Sequence, residues 1–326
     1  MNLSHVILYA IVPIIVVMLA GFIAGKKGAF SGDDAKKFNK VVLDFALPAA
    51  LFVSIVQASR EMLVKDLKLT IVSIAGIMFC FLLVYFIFKY CFKKNTGADA
   101  AVSALISGSP TIGFLGFAVL EPIFGTTPAV ALVVAIVGIV VNAIGIPVGL
   151  SLMNASLEKQ KPDSAKKQSA WKPVIHALKQ PVAWAPILAV IWVVAGIPWP
   201  KELSPSFNLI AKANASMAVF SAGIVLSTIK FQINWQVILG SIMKMVLMPA
   251  VVLALGLLCR MDPENLKMLV VAAVLPPAFS GIIIADEYNT YVADGTSSLT
   301  LSVILFVGFC PLWIWLTDMV LAIPGI

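Results

Sequence analysis

Two stretches of this chain place proline, glycine and hydroxyl groups where an apolar sequence would otherwise be helix. Ser107-Gly108-Ser109-Pro110-Thr111-Ile112-Gly113 lies inside an apolar segment from about 98 to 120, and Leu275-Pro276-Pro277-Ala278-Phe279-Ser280-Gly281 lies inside another from about 266 to 285. Proline removes a backbone donor and clashes with the preceding turn, and glycine weakens helix beside it, so both segments must break midway. In hydrocarbon the released amides and carbonyls are tolerated only where protein or a watery cavity satisfies them. A half-helix restarting after such a break offers free amides and the positive end of its dipole, which is chemistry suited to a carboxylate. Ser109, Thr111 and Ser280 add hydroxyl donors, and Pro110, Gly113 and Pro277 shape the backbone around them. Asn142 and Asn214, side-chain amides in other apolar stretches, complete the set of substrate-binding candidates.

Three charged residues join them. Asp44 is the acid set well inside an apolar stretch, with Pro48 one turn later. Ionisable groups at such depth usually face the protein interior and mark a pathway or relay, although Asp44 is near enough to one edge to reach interfacial water. Lys244 falls near the middle of another stretch, where a lysine costs about 2.5–3.5 kcal/mol on insertion scales. Its partner should be Asp44, a broken-helix carbonyl or an anionic ligand, and of Asp44 and Lys244 one is expected to act as a proton or counter-charge site and the other as an anion attractor. Lys212 lies nearer an outer end, where its stem could snorkel.

The elements that must carry these residues are membrane spans. The chain has 326 residues, 60% of them hydrophobic and 12% charged, with a mean hydropathy of +1.01, far from the balance of a soluble domain. Ten apolar stretches, near 6–25, 41–58, 69–90, 99–120, 127–152, 181–197, 207–229, 235–258, 265–285 and 296–321, are mostly long enough to cross about 30 Å of hydrocarbon as helix. The fold expected is all-α and polytopic. The first stretch lacks a preceding Lys or Arg and is longer than a signal's apolar core, so it reads as a retained helix. Gly21 and Gly25 within it form a small-xxx-small pattern that allows another helix to approach closely.

The net charge of +7 does not indicate nucleic acid, because the cations are sorted by loop. Fifteen fall between alternate spans on one side and six (Arg60, Lys65, Lys68, Lys201, Arg260 and Lys267) on the other. The positive-inside rule then puts both termini outside and the long polar linker, 153–180, in the cytoplasm. That linker divides the chain into five-span halves, 1–152 and 181–326, and from Trp171 onward its apolar spacing suits a helix on the inner surface. Phe38-Asn39 opens the second stretch and Phe207-Asn208 the seventh, and the proline breaks fall in the fourth and ninth. Two odd-numbered halves enter the membrane from opposite faces, so the arrangement expected is an inverted repeat with broken helices 4 and 9 meeting at the midplane.

Other chemistry is poorly represented. Only two histidines, His5 and His176, occur, no nucleotide loop or catalytic triad is legible, and Cys80, Cys91, Cys259 and Cys310 lack metal or redox spacing. An enzyme, a metal centre and a cofactor are therefore not expected. A carrier is the leading function, with an anion channel or a membrane-embedded sensor as the alternative.

Three stretches carry a family resemblance: Asp44-Phe45-Ala46-Leu47-Pro48-Ala49-Ala50-Leu51-Phe52, Ser109-Pro110-Thr111-Ile112-Gly113-Phe114-Leu115-Gly116 and Pro276-Pro277-Ala278-Phe279-Ser280-Gly281. The chain resembles the auxin efflux carrier family over essentially its whole length, and most of all the bacterial malonate, malate or oxalate-type permeases. The resemblance implies five plus five inverted helices, shared in outline with sodium/proton antiporters and bile-acid symporters. Helices 1, 2, 6 and 7 would form a scaffold and the others a mobile transport domain, often in a homodimer in a bacterial inner membrane. It also implies a small organic anion, such as a dicarboxylate, as substrate, with proton coupling, sodium coupling and uniport all open. One departure stands out: many relatives have Pro-Asn at the first break, where this chain has Pro110-Thr111, and a hydroxyl supplies one donor where an amide supplies two.

Overall fold

A computed structural model describes residues 8, 12–56, 67–158, 181–228 and 231–323. The sequence expectations for His5, Arg60, Lys65, the linker beyond 158 with His176, and Lys230 lie outside these residues. The described residues form helices joined by turns and short loops, with an isolated antiparallel bridge between Pro110 and Pro277. In chain order its helices are α1 (Val12–Lys26), α2 (Gly32–Val41), α3 (Leu47–Val56), α4 (Leu67–Cys91), α5 (Gly97–Ser107), α6 (Ile112–Phe124), α7 (Pro128–Ile139) and α8 (Ile146–Glu158). They continue with α9 (Pro181–Val194), α10 (Ser204–Ala211), α11 (Ala213–Thr228), α12 (Trp235–Ile242), α13 (Met248–Leu258), α14 (Pro263–Val274), α15 (Phe279–Glu287) and α16 (Val292–Leu321).

Among the described residues, five helical runs are long and apolar enough to cross a membrane: 67–91, 128–157, 201–228, 235–258 and 292–321. Shorter apolar helices at 12–26, 97–107 and 115–124 accompany them. Several begin on side-chain caps that the sequence dictates. Ser31 and Asp34 form a reciprocal capping box at the start of α2, and Thr96 and Asp99 repeat it at α5. Through α2 the helix starts well before the apolar stretch, at Gly32, with Lys36, Lys37 and Lys40 on its polar turns. At α8 the helix runs to Glu158, past the end of the fifth apolar stretch.

Three helical runs widen by one residue: 128–157 and 235–258 of those above, and α2–α3. In each, the peptide N–H directly before a proline reaches back five residues instead of four: Leu47 to Val42, Ile146 to Val141 and Met248 to Met243. The cause is local. Pro48, Pro147 and Pro249 have no N–H and collide with the carbonyl four residues earlier, so a wider π turn relieves the clash while the helix continues. The three turns hold Asp44, Asn142 and Lys244 respectively.

The helices pack in two groups. α1, α2, α3, α9, α10 and α11 form one, and α4 to α8 with α12 to α16 form the other; α3 against α7 and α11 against α6 join them. The most intimate seam is α1 on α11. A Cβ at Gly21 would lie 2.1 Å from the Phe220 carbonyl oxygen, and one at Gly223 would lie 2.0 Å from that of Met18. Gly21-xxx-Gly25 is thus matched by Gly223-xxx-Ser227 within the same chain, the close approach such patterns permit. α2–α3 and α10–α11 run antiparallel, because Phe38 meets Phe220 near one end of the pair while Phe52 stacks on Phe207 at the other.

Candidate functional site: the crossing of two broken helices

The site begins with two chain breaks that repair each other. α5 stops at Ser107 and α6 restarts at Ile112; α14 stops at Val274 and α15 restarts at Phe279. Across the gap, the Thr111 amide donates to the Pro276 carbonyl at 2.9 Å and the Ala278 amide donates to the Ser109 carbonyl at 3.1 Å. Main-chain groups stranded in hydrocarbon would cost several kcal/mol each, so this reciprocal pair locks the breaks together. Glycine makes the contact possible. A Cβ at Gly281 would sit 2.9 Å from the Leu105 carbonyl carbon, and one at Gly108 would sit 2.7 Å from Phe81 Cα.

Most sequence-selected binding residues gather here. Ser109, Pro110, Thr111, Gly113 and Pro277 are buried at the crossing, and Ser280 is half-buried on the first turn of α15. Ser109 Oγ donates to the Leu105 carbonyl in the end of α5. Thr111 Oγ1, at the N-cap of α6, is buried without a hydrogen-bond partner. Asn214 reaches the crossing from α11: its Nδ2 donates to the Gly113 carbonyl at 2.9 Å, and its Oδ1 is buried and unpartnered. Asn142 stands apart, donating to the Gly138 carbonyl of its own helix at 2.9 Å.

The charged candidates separate in the same way. Lys244 is 0% exposed, donates to the Ala273 carbonyl in the last turn of α14, and has Met248 Sδ at 3.5 Å. Of the three partners the sequence allowed, the structure supplies the broken-helix carbonyl; no ion pair joins Lys244 to Asp44 among the described residues. Asp44 is half-buried in the π turn between α2 and α3 and has no described hydrogen-bond or ion-pair partner. Lys212 is exposed between α10 and α11.

A cavity of about 880 Å³ leads toward this place, with Ala50, Val53, Phe117, Glu121, Lys212 and Asn214 among its walls. It lies between the two packing groups, with Lys212 and Glu121 as its charged lining residues and Asn214 joining it to the crossing. Such a cavity can admit a small polar solute, with Lys212 and Glu121 of opposite charge and the Asn214 amide on its walls.

Sequence reading missed one side-chain capture outright and left the acceptor of another open among three. The Trp313 indole N–H donates to the Met245 carbonyl at 2.8 Å, the acceptor that Pro249 leaves without its i+4 amide. In the same way Pro277 leaves the Ala273 carbonyl to Lys244. A proline four residues after a buried carbonyl was the available signal for both.

Comparison with known proteins places this geometry. Residues 6–314 match the family model described as membrane transport protein. The uncharacterized transporter YfdV of Escherichia coli (strain K12) is 50% identical over 310 residues, covering 95% of this chain and 97% of that protein. A Rhizobium meliloti (strain 1021) protein whose name proposes malonate as its cargo is 24% identical over 302 residues, 91% of each chain. Auxin efflux carrier component 4 of Arabidopsis thaliana is 23% identical over 128 residues, 37% of this chain and 20% of that one.

Proposed function

Because the chain belongs to the membrane transport protein family, that of the auxin efflux carriers, we propose that it is a secondary transporter moving small organic anions by alternating access. The observation that carries this reading is the crossing itself, where two broken helices share main-chain hydrogen bonds beside the unpartnered Thr111 Oγ1 and Asn214 Oδ1. Broken helices at matching places in two halves are the mark of a carrier's midplane site. The antiparallel run of α2–α3 against α10–α11 supports the ten-span inverted repeat, with 1–152 and 181–326 as its halves and 153–180 as a cytoplasmic joint. Helices α1 to α3 and α9 to α11 then serve as scaffold, and the remaining group slides against them along the α3–α7 and α6–α11 contacts. Glycine-to-carbonyl packing between α1 and α11 supports a rigid scaffold.

The anion binds at the crossing. Its carboxylate takes the amides at the start of α6 and α15 and the hydroxyls of Thr111 and Ser280. Carboxylates of the malonate class are the first substrates to test, because one relative bears that name. The setting proposed is a bacterial inner membrane with both termini outside.

Counterflow in proteoliposomes tests the mechanism. Vesicles loaded with unlabelled malonate should accumulate labelled malonate transiently above its equilibrium level. A channel would only equilibrate the label, and a sensor would move none. The same assay with other dicarboxylates and with aromatic monocarboxylates identifies the anion.

A further inference from the structure

We propose that Lys244 is a tethered ammonium that holds the position a coupling ion would fill at the second break. This deepens the transporter reading and rests on it. α14 ends at Val274, and neither Pro276 nor Pro277 has an N–H to return to the last turn. The Leu275 amide reaches back to the Ala272 carbonyl, while the Ala278 amide is taken by Ser109 across the crossing. The Ala273 carbonyl therefore has no backbone donor, and Lys244 Nζ fills the gap. The end of a helix carries roughly half a unit of negative charge, and ion-coupled carriers use such half-helix ends and unwound carbonyls to coordinate sodium. Here a primary ammonium on a four-carbon stem does the same without leaving the protein.

The polar neighbours of Lys244 are a carbonyl and a thioether, not an ion-pair partner. Met248 Sδ lies at 3.5 Å and Cys80 of α4 is the nearby titratable side chain, while no carboxylate pairs with the ammonium among the described residues. Among the described residues, no cation bonds a carbonyl at the first break. There the chain closes through its own short-range bonds, Gly108 N–H to the Ala104 carbonyl and Ser109 Oγ to the Leu105 carbonyl. Two helix N-termini and two C-termini at the crossing roughly cancel, so Lys244 leaves about one positive charge in excess. One substrate carboxylate neutralises it. The loaded transport unit is then uncharged with a monoanionic head group bound, and sodium is not required.

The test uses the purified full chain. Lys244→Ala removes the atoms of a propylammonium ion. Its melting temperature should fall, and millimolar propylammonium should raise it saturably by several degrees, whereas 1-propanol of similar shape should not. The wild type should melt, and exchange malonate, equally in sodium and in N-methylglucamine chloride. Equal rescue by propanol, an unaffected melting temperature in Lys244→Ala, or a sodium requirement in the wild type would overturn the proposal. Should Lys244→Ala not accumulate, the wild-type sodium comparison decides alone. Absence of any carboxylate exchange, with the melting results as expected, would instead count against the transporter reading.

Discussion

The two breaks do equivalent geometric work by different means. At the first, α5 closes on Gly108 and α6 restarts under Thr111, whose hydroxyl is buried without a partner. At the second, α14 closes on two prolines and a lysine, and α15 restarts beyond Ala278, which has no polar side chain to offer. One arm thus holds the open donor and the other the fixed charge. Under the proposed function, matching breaks need not carry matching roles: the shared backbone would set where the site lies, and the side chains would divide recognition from charge balance.

The severest way to break the comparison is to separate the arms. Gly281→Leu drives a side chain into the Leu105–Ile106 backbone and should destabilise the protein by about 3 kcal/mol, read as a lower melting midpoint with loss of anion binding. Gly308, around which an added Cβ would meet nothing within 4 Å, is the control: Gly308→Ala should cost nothing measurable. Trp313→Phe leaves the Met245 carbonyl without its donor and should cost about 2 kcal/mol. A neutral result would mean that this carbonyl finds another partner.

Thr111→Val sharpens the difference between the arms. Removing a buried, unpartnered hydroxyl should raise the stability of the empty protein by about 1 kcal/mol, yet weaken carboxylate affinity about tenfold, since that factor corresponds to about 1.4 kcal/mol. Opposite signs in melting and in binding distinguish a recognition residue from a packing residue.

The smallest effect lies outside the membrane core. The Ser31 amide, with the Ser31 hydroxyl and Lys37, lowers the Asp34 carboxyl from 3.8 to about 2. A depressed carboxylate stabilises the fold above its ordinary value and loses that contribution only as pH falls toward the folded value. The melting offset between wild type and Asp34→Ala should therefore be the same at pH 7 and pH 5. An offset that shrinks at pH 5 would contradict the capping geometry.

Much of this was legible before any coordinates, and the gaps have physical causes. Proline beside glycine announced both breaks, whereas Pro48, Pro147 and Pro249 only widened a turn and Pro311 lies inside α16. The sequence could not show that Thr111 would bond to Pro276, because that pairing joins residues far apart in the chain. The π turns escaped because periodicity arguments assume a constant turn, although Asp44, Asn142 and Lys244 each precede a proline by four or five residues. Gly21 and Gly25 announced a close helix contact, but its partner, α11, emerged only from packing. Asn142 carried the right chemistry at a position where its amide serves its own helix.

The claim at the centre of this account is that the crossing binds the anion. Its most direct test is equilibrium binding of labelled malonate, or of whichever carboxylate counterflow selects, to the wild type and to a Thr111→Val, Ser280→Ala double variant of verified fold. The account predicts that affinity falls by more than tenfold in the double variant while its melting temperature is kept. Unchanged affinity in a well-folded double variant would place the site elsewhere.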